Sequence, residues 1–158
     1  MSSDRLASDD PTAETPAAVV VDSWVFDVDG CVIDSLTGTS LRPGARDVLE
    51  HLARHGHHII LWSAGGEAYA RARAVEFGLD HLVSGCFAKD GRDGDGCYRT
   101  AHLPLHPDRS VFVDDHPEDL PRSLDVLAVS PYLSEDPHDR GLQPVARRAG
   151  LVPPHNRQ

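Results

Sequence analysis

Trp24-Val25-Phe26-Asp27-Val28-Asp29-Gly30-Cys31-Val32 is an apolar run that ends in two carboxylates and a glycine, the pattern of a buried strand leaving a sheet through a tight turn. Side chains alternate along a strand, so the run predicts Asp27 and Asp29 starting on one face, with Val28 going into the core between them. Two like charges that close repel unless one carries a proton or a cation lies between them. The pair therefore implies a divalent metal or a split in pKa. An Asp-rich turn after a strand would look the same locally, and the rest of the chain decides between the two.

Working outward, Val19 to Val28 reads as the whole strand and Gly30 to Leu41 as a short polar loop. Arg42-Pro43-Gly44 opens a helix, with Pro43 near its first position, Val48, Leu49 and Leu52 as its apolar stripe and Gly56 at its end. A second strand, His58 to Trp62, ends at Ser63 and is followed by Ala64-Gly65-Gly66 and a helix from Glu67 to Phe77, closed by Gly78. Leu82 to Ala88 is a weaker third strand leading to Lys89, and residues 90–109, rich in Gly, Asp, His and Pro, read as loop. Ser110 to Val113 is a fourth strand ending in Asp114-Asp115. After a brief helical turn comes a fifth, Val126 to Val129, and Asp139 to Ala149 reads as a closing amphipathic helix. Strands alternating with helices at short spacing predict an α/β domain of three layers. Its parallel sheet, of about five strands, is Rossmann-like, with right-handed crossovers placing helices on both faces.

A chain of 158 residues suits one domain and is too short for two ordinary ones. Residues 1–18, rich in Ser, Asp, Pro, Thr and Ala, read as a disordered tail, 19–150 as the domain and 151–158 as a second tail. No segment has the basic start and apolar centre of a secretory signal, and no apolar run is long enough to span a bilayer. Three cysteines without CxxC spacing suggest free thiols and a cytoplasmic setting; Cys31 is most simply a small buried hydrophobe. A net charge of -10 opposes non-specific binding to nucleic acid or anionic membrane. Among fourteen arginines there is a single lysine, Lys89. Arginine replaces lysine freely on a surface but not where a compact point charge is needed, so Lys89 is worth locating, with Arg92 and Arg109 as its rivals.

In a parallel α/β sheet, ligands bind beyond the carboxyl ends of the strands, near the point where strand order reverses. Asp27 and Asp29, Ser63, Lys89, and Asp114 with Asp115 all fall at such ends. His51, His55, His57 and His58 do not. The first two have the i, i+4 spacing of zinc ligands, but the cluster lies at the opposite edge. His116, directly after Asp115, is better placed to touch substrate.

An Asp-x-Asp-Gly after strand one, a Ser after strand two, a Lys after strand three and an Asp-Asp after strand four, in that order, resemble the haloacid dehalogenase superfamily of phosphohydrolases over about residues 20 to 130. The resemblance implies Asp27 as the nucleophile that forms an aspartyl-phosphate and Asp29 as the acid and base. It implies Mg²⁺ held by Asp27, Asp114, Asp115 and the backbone carbonyl of Asp29, with Asp119 in support. Phosphoryl oxygens would be held by Ser63, Ala64 and Lys89. Neither Gly30 to Leu41 nor Lys89 to Arg109 is long enough for a cap domain, so the type implied is capless, with an open site. The substrate would be a phosphorylated small molecule or the phosphorylated end of a macromolecule, and association with a second copy stays open.

Leu41-Arg42-Pro43-Gly44, Trp62-Ser63-Ala64 and Tyr69-Ala70 are similar to the small protein phosphatases of the carboxy-terminal-domain type. Those have Glu-Thr after the acid pair, where this chain has Gly30-Cys31. Two further readings are a receiver-like regulatory domain, whose lysine would follow the other acids rather than precede Asp114, and a catalytically silent phosphate-binding domain.

Overall fold

A computed structural model describes residues 21–151; the tail assigned to 1–18 and all but the first residue of the tail assigned to 151–158 lie outside them. Five parallel strands form one sheet: β1 (Ser23–Asp27), β2 (His58–Ser63), β3 (Gly85–Ala88), β4 (Ser110–Asp114) and β5 (Asp125–Ala128), in the order β3-β2-β1-β4-β5. β1 is central. It pairs Val25 with Ile60 of β2 on one side and with Phe112 of β4 on the other. The chain winds outward from β1 through β2 to β3, then crosses back to β4 and on to β5. Strand order therefore reverses between β1 and β4, and Asp27 and Asp114 end the two strands flanking that crevice.

Three α-helices, α1 (Ala45–Arg54), α2 (Glu67–Glu76) and α3 (Gln143–Arg148), bury residues in one core against Trp24, Phe26, Val111 and Val113. In α1 the buried positions are Ala45, Val48, Leu49 and Leu52, at the i, i+3, i+4, i+7 spacing of a single stripe. The two larger leucines are each worth about 1.5–3 kcal/mol in burial. Leu151, assigned to a tail by composition, packs against this same core.

On the other face the sheet offers Val25, Ile60, Trp62 and Phe112. They are covered by Leu103, Leu105, Tyr98, Leu120 and Leu124 from loop segments that adjoin two single-turn 3-10 helices, 107–109 and 117–119. The helical layer expected there is reduced to these turns. Residues 90–109, which composition reads as loop, supply three of these side chains, Tyr98, Leu103 and Leu105.

The helix starts shift for an identifiable reason. Arg42 is 1% exposed; its Nε donates to Asp139 Oδ1 at 2.7 Å, its Nη1 to the carbonyls of Gly30 and Cys31 at 3.4 and 3.3 Å, and its Nη2 to Ser130 Oγ at 3.2 Å. With Arg42 so fixed, Pro43 stands before α1 rather than inside it, and Gly44 takes the left-handed cap at φ 86°. Asp139, committed to Arg42 and to the Gly141 amide, cannot begin a helix, so α3 starts at Gln143, with Pro144 in its first turn. β3 is shorter than Leu82 to Ala88 because Leu82 closes a turn onto Leu79, and sheet pairing begins only after Ser84 bonds Ile59.

Candidate active site

Lys89 follows β3 directly and is held at the ends of β1 and β4. Its Nζ donates to Asp27 Oδ1 at 2.8 Å and to Asp114 Oδ2 at 2.9 Å, with all three side chains at most 10% exposed. The ammonium also lies 5.1 Å from the ring centres of both Trp62 and Tyr98, so an aromatic pair orients it by cation–π attraction. Arg92 stacks on Tyr98 at 4.2 Å. Arg109, the other rival for the lysine's place, pairs with Asp22 before the start of β1.

Carboxylate oxygens of Asp27, Asp114 and Asp115 lie within 4.8 Å of one another. Burial pushes the Asp27 carboxyl well above the usual range, the charge of Asp114 adds to this, and Lys89 opposes it. Asp114 is raised by burial and pulled back by the same lysine. For Lys89, burial favours the neutral amine, but the two carboxylates outweigh it and the ammonium is held above its ordinary value. Asp115 Oδ1 is buried without a hydrogen-bond partner. Its Oδ2 stands 2.5 Å from where a Cβ would be at residue 30, so only glycine, here at φ +80°, fits beside it. Three hard oxygen donors, one of them unpartnered and buried, suit Mg²⁺.

Asp29 is anchored by a different element from Asp27. β1 ends at Asp27, so strand alternation carries no further. Asp29 Oδ1 instead accepts a 2.6 Å hydrogen bond from the hydroxyl of Tyr69, in the first turn of α2. Burial, then the Asp29 carboxylate, pushes the phenol up to about 12, so it remains a donor.

Ser63, 1% exposed, ends β2. Its Oγ accepts the Gly65 amide at 3.0 Å and its carbonyl accepts the Lys89 amide at 2.9 Å. The hydroxyl proton remains available to a ligand, and Ala64, next in the chain, is exposed. His116 is exposed at the rim, bonded to Glu118 at 3.0 Å and 3.5 Å from Asp115. The Glu118 carboxylate, then the charge of Asp115, raises its imidazole.

Asp119, expected to support the metal, receives Arg92 Nη1 at 3.2 Å, while its carbonyl accepts the Tyr98 amide at 2.9 Å. It fastens the loop that carries Tyr98. The histidines stay apart from the acids: His51 Nε2 bonds the carbonyl of Ala149 at 2.9 Å and His55 Nδ1 that of His51 at 2.8 Å.

Beyond the likeness carried by Tyr69-Ala70, the usable sequence signal for Tyr69 is its place in the first turn of a helix that begins at the site edge. Tyr98 carried a weaker one, as the sole Phe, Tyr or Trp between Lys89 and Arg109.

The NLI interacting factor-like phosphatase family matches residues 22–149. Among solved structures, a haloacid dehalogenase-like hydrolase from Streptococcus pneumoniae is similar, with TM-score 0.57 and 12% identity over 81% of this chain and 98% of that one. The core domain of a protein assigned as a phosphoglycolate phosphatase, from Streptococcus pneumoniae TIGR4, is similar with TM-score 0.50 and 14% identity over 84% and 97%. At these identities the likeness is one of fold. No curated protein matches the sequence.

Proposed function

The chain belongs to the NLI interacting factor-like phosphatase family and, through it, to the haloacid dehalogenase superfamily, and from that premise we propose that it hydrolyses phosphomonoesters with Mg²⁺ by way of an aspartyl-phosphate on Asp27. The observation that carries this reading is the convergence of Asp27, Asp114, Asp115 and the chain's one lysine at the switch point of the sheet.

Asp27 attacks phosphorus in line and the ester oxygen departs with a proton from Asp29. Asp29 then takes a proton from the water that attacks the acyl-phosphate, regenerating the Asp27 carboxylate and releasing inorganic phosphate. Lys89, already bonded to Asp27, the Ser63 hydroxyl and the Ala64 amide hold the phosphoryl oxygens while charge builds on them. Asp27, Asp114 and Asp115, with the Asp29 carbonyl, would hold Mg²⁺, which when bound offsets the charge of both the acids and the phosphoryl group. The family match favours the reading as a protein phosphatase of the carboxy-terminal-domain type over a general metabolite phosphatase. A receiver-like domain does not fit, since its flavodoxin-like strand order is 2-1-3-4-5 and the order here is 3-2-1-4-5.

Hydrolysis of a generic aryl phosphate tests the reading: continuous turnover with Mg²⁺, none with EDTA and none in Asp27→Asn. Stoichiometric release that stops after one turnover, or full activity in the variant, would contradict it. A panel of phosphorylated metabolites, phosphopeptides and oligonucleotide ends then ranks substrates, with phosphopeptides expected first.

A further inference from the structure

The acid pair is split between two elements: Asp27 faces Lys89, and Asp29 is tied to α2. From this split we propose that Tyr69 is a positioning residue for the acid–base step, occupying Oδ1 of Asp29 so that the proton given and taken in catalysis is carried on Oδ2. The inference rests on the phosphatase reading of the same site.

Tyr69 is itself held on three sides. Its ring lies so close to Gly65 that a Cβ there would stand 2.8 Å from Cδ1. Its hydroxyl lies 3.4 Å from the Cβ position of Gly38, in the loop after β1. Arg73, one helical turn on, lies 5.5 Å from its ring centre. The loop after β2, the loop after β1 and the helix thus agree on one place for the hydroxyl. A carboxylate two residues past a strand end, beside a left-handed glycine, has little else to hold it: among the described residues Tyr69 is the one side chain hydrogen-bonded to Asp29. A charge-assisted bond of 2.6 Å fixes its rotamer and leaves one oxygen for the proton. An acid so oriented matters most when the leaving oxygen is strongly basic and must be protonated as it departs, and little when the leaving group is a stable phenolate.

The test compares kcat/KM of wild type and Tyr69→Phe on an alkyl phosphate and on a nitrophenyl phosphate, with thermal midpoints alongside. Because kcat/KM reports only steps up to departure of the leaving group, it isolates the acid role from the later attack of water. The expected result is a loss of roughly tenfold or more on the alkyl ester and less than about threefold on the nitrophenyl ester, with the midpoint nearly unchanged. Equal losses on both esters, or none on either, in an active wild type would overturn the inference alone. A wild type with no Mg²⁺-dependent turnover on either ester would overturn the phosphatase reading, and the inference with it.

Discussion

Two buried carboxylates in this chain are driven in opposite directions. Burial alone would raise Asp34, but the Thr37 hydroxyl and amide at 2.7 Å, the Ser40 amide at 2.8 Å and the Gly38 amide at 3.2 Å bring it down to about 2. Its folded pKa lies below its unfolded value near 4, so its stabilisation is full above that value and is lost as pH falls toward 2. The shift corresponds to about 2 kcal/mol at neutral pH. Asp34→Asn should lose about that much in urea titrations at pH 7 and almost nothing at pH 2. Asp27 has the other sign. Its folded pKa is raised, so the metal-free protein is penalised progressively as pH climbs above 4. Asp27→Asn should therefore melt at a higher temperature than wild type at pH 7 in EDTA while its turnover falls by at least about 10³-fold; a variant less stable than wild type would contradict the account of this site.

At the scale of elements, the turn after β1 is fixed from two sides, by Asp115 against Gly30 and by Arg42 against the carbonyls of Gly30 and Cys31. Gly30→Ala forces a Cβ onto Asp115 and a side chain into the left-handed region. It should cost about 1–3 kcal/mol and raise the Mg²⁺ concentration needed for half-maximal activity, which a metal titration of turnover would show. Asp139→Ala leaves the buried Arg42 guanidinium without its carboxylate and should cost about 3 kcal/mol by denaturant unfolding. Strand identity was legible in the sequence because valine-rich runs ending in acids have few other readings. Element starts were less so: Pro43 and Asp139 carry good helix-start signals, overridden by the buried Arg42–Asp139 pair from residues 97 apart. No local pattern announces such a pair. The pairing of Asp119 was illegible for a similar reason, since its partner Arg92 lies in a loop without periodicity.

For the molecule as a whole, the order β3-β2-β1-β4-β5 turns four separate sequence signals into one site, and this is why the ordered set of motifs was readable while single residues were ambiguous. The second face was not readable, because residues 90–109 cover it with three scattered apolar side chains, Tyr98, Leu103 and Leu105, instead of a helix. Among the described residues no helix is long and apolar enough to cross a membrane. A ligand bound only by the folded state stabilises it, so Mg²⁺ at ten times its dissociation constant should add about 1.4 kcal/mol and raise the thermal midpoint by about 3–6 °C in wild type, and by much less in Asp114→Asn. Most direct of all is mass spectrometry of the protein quenched in acid during turnover with Mg²⁺ and an aryl phosphate. The account predicts one added phosphoryl group, on the peptide containing Asp27 and absent from Asp27→Asn. A phosphoryl group on another residue, or steady turnover with none on the protein at any time sampled, would contradict it.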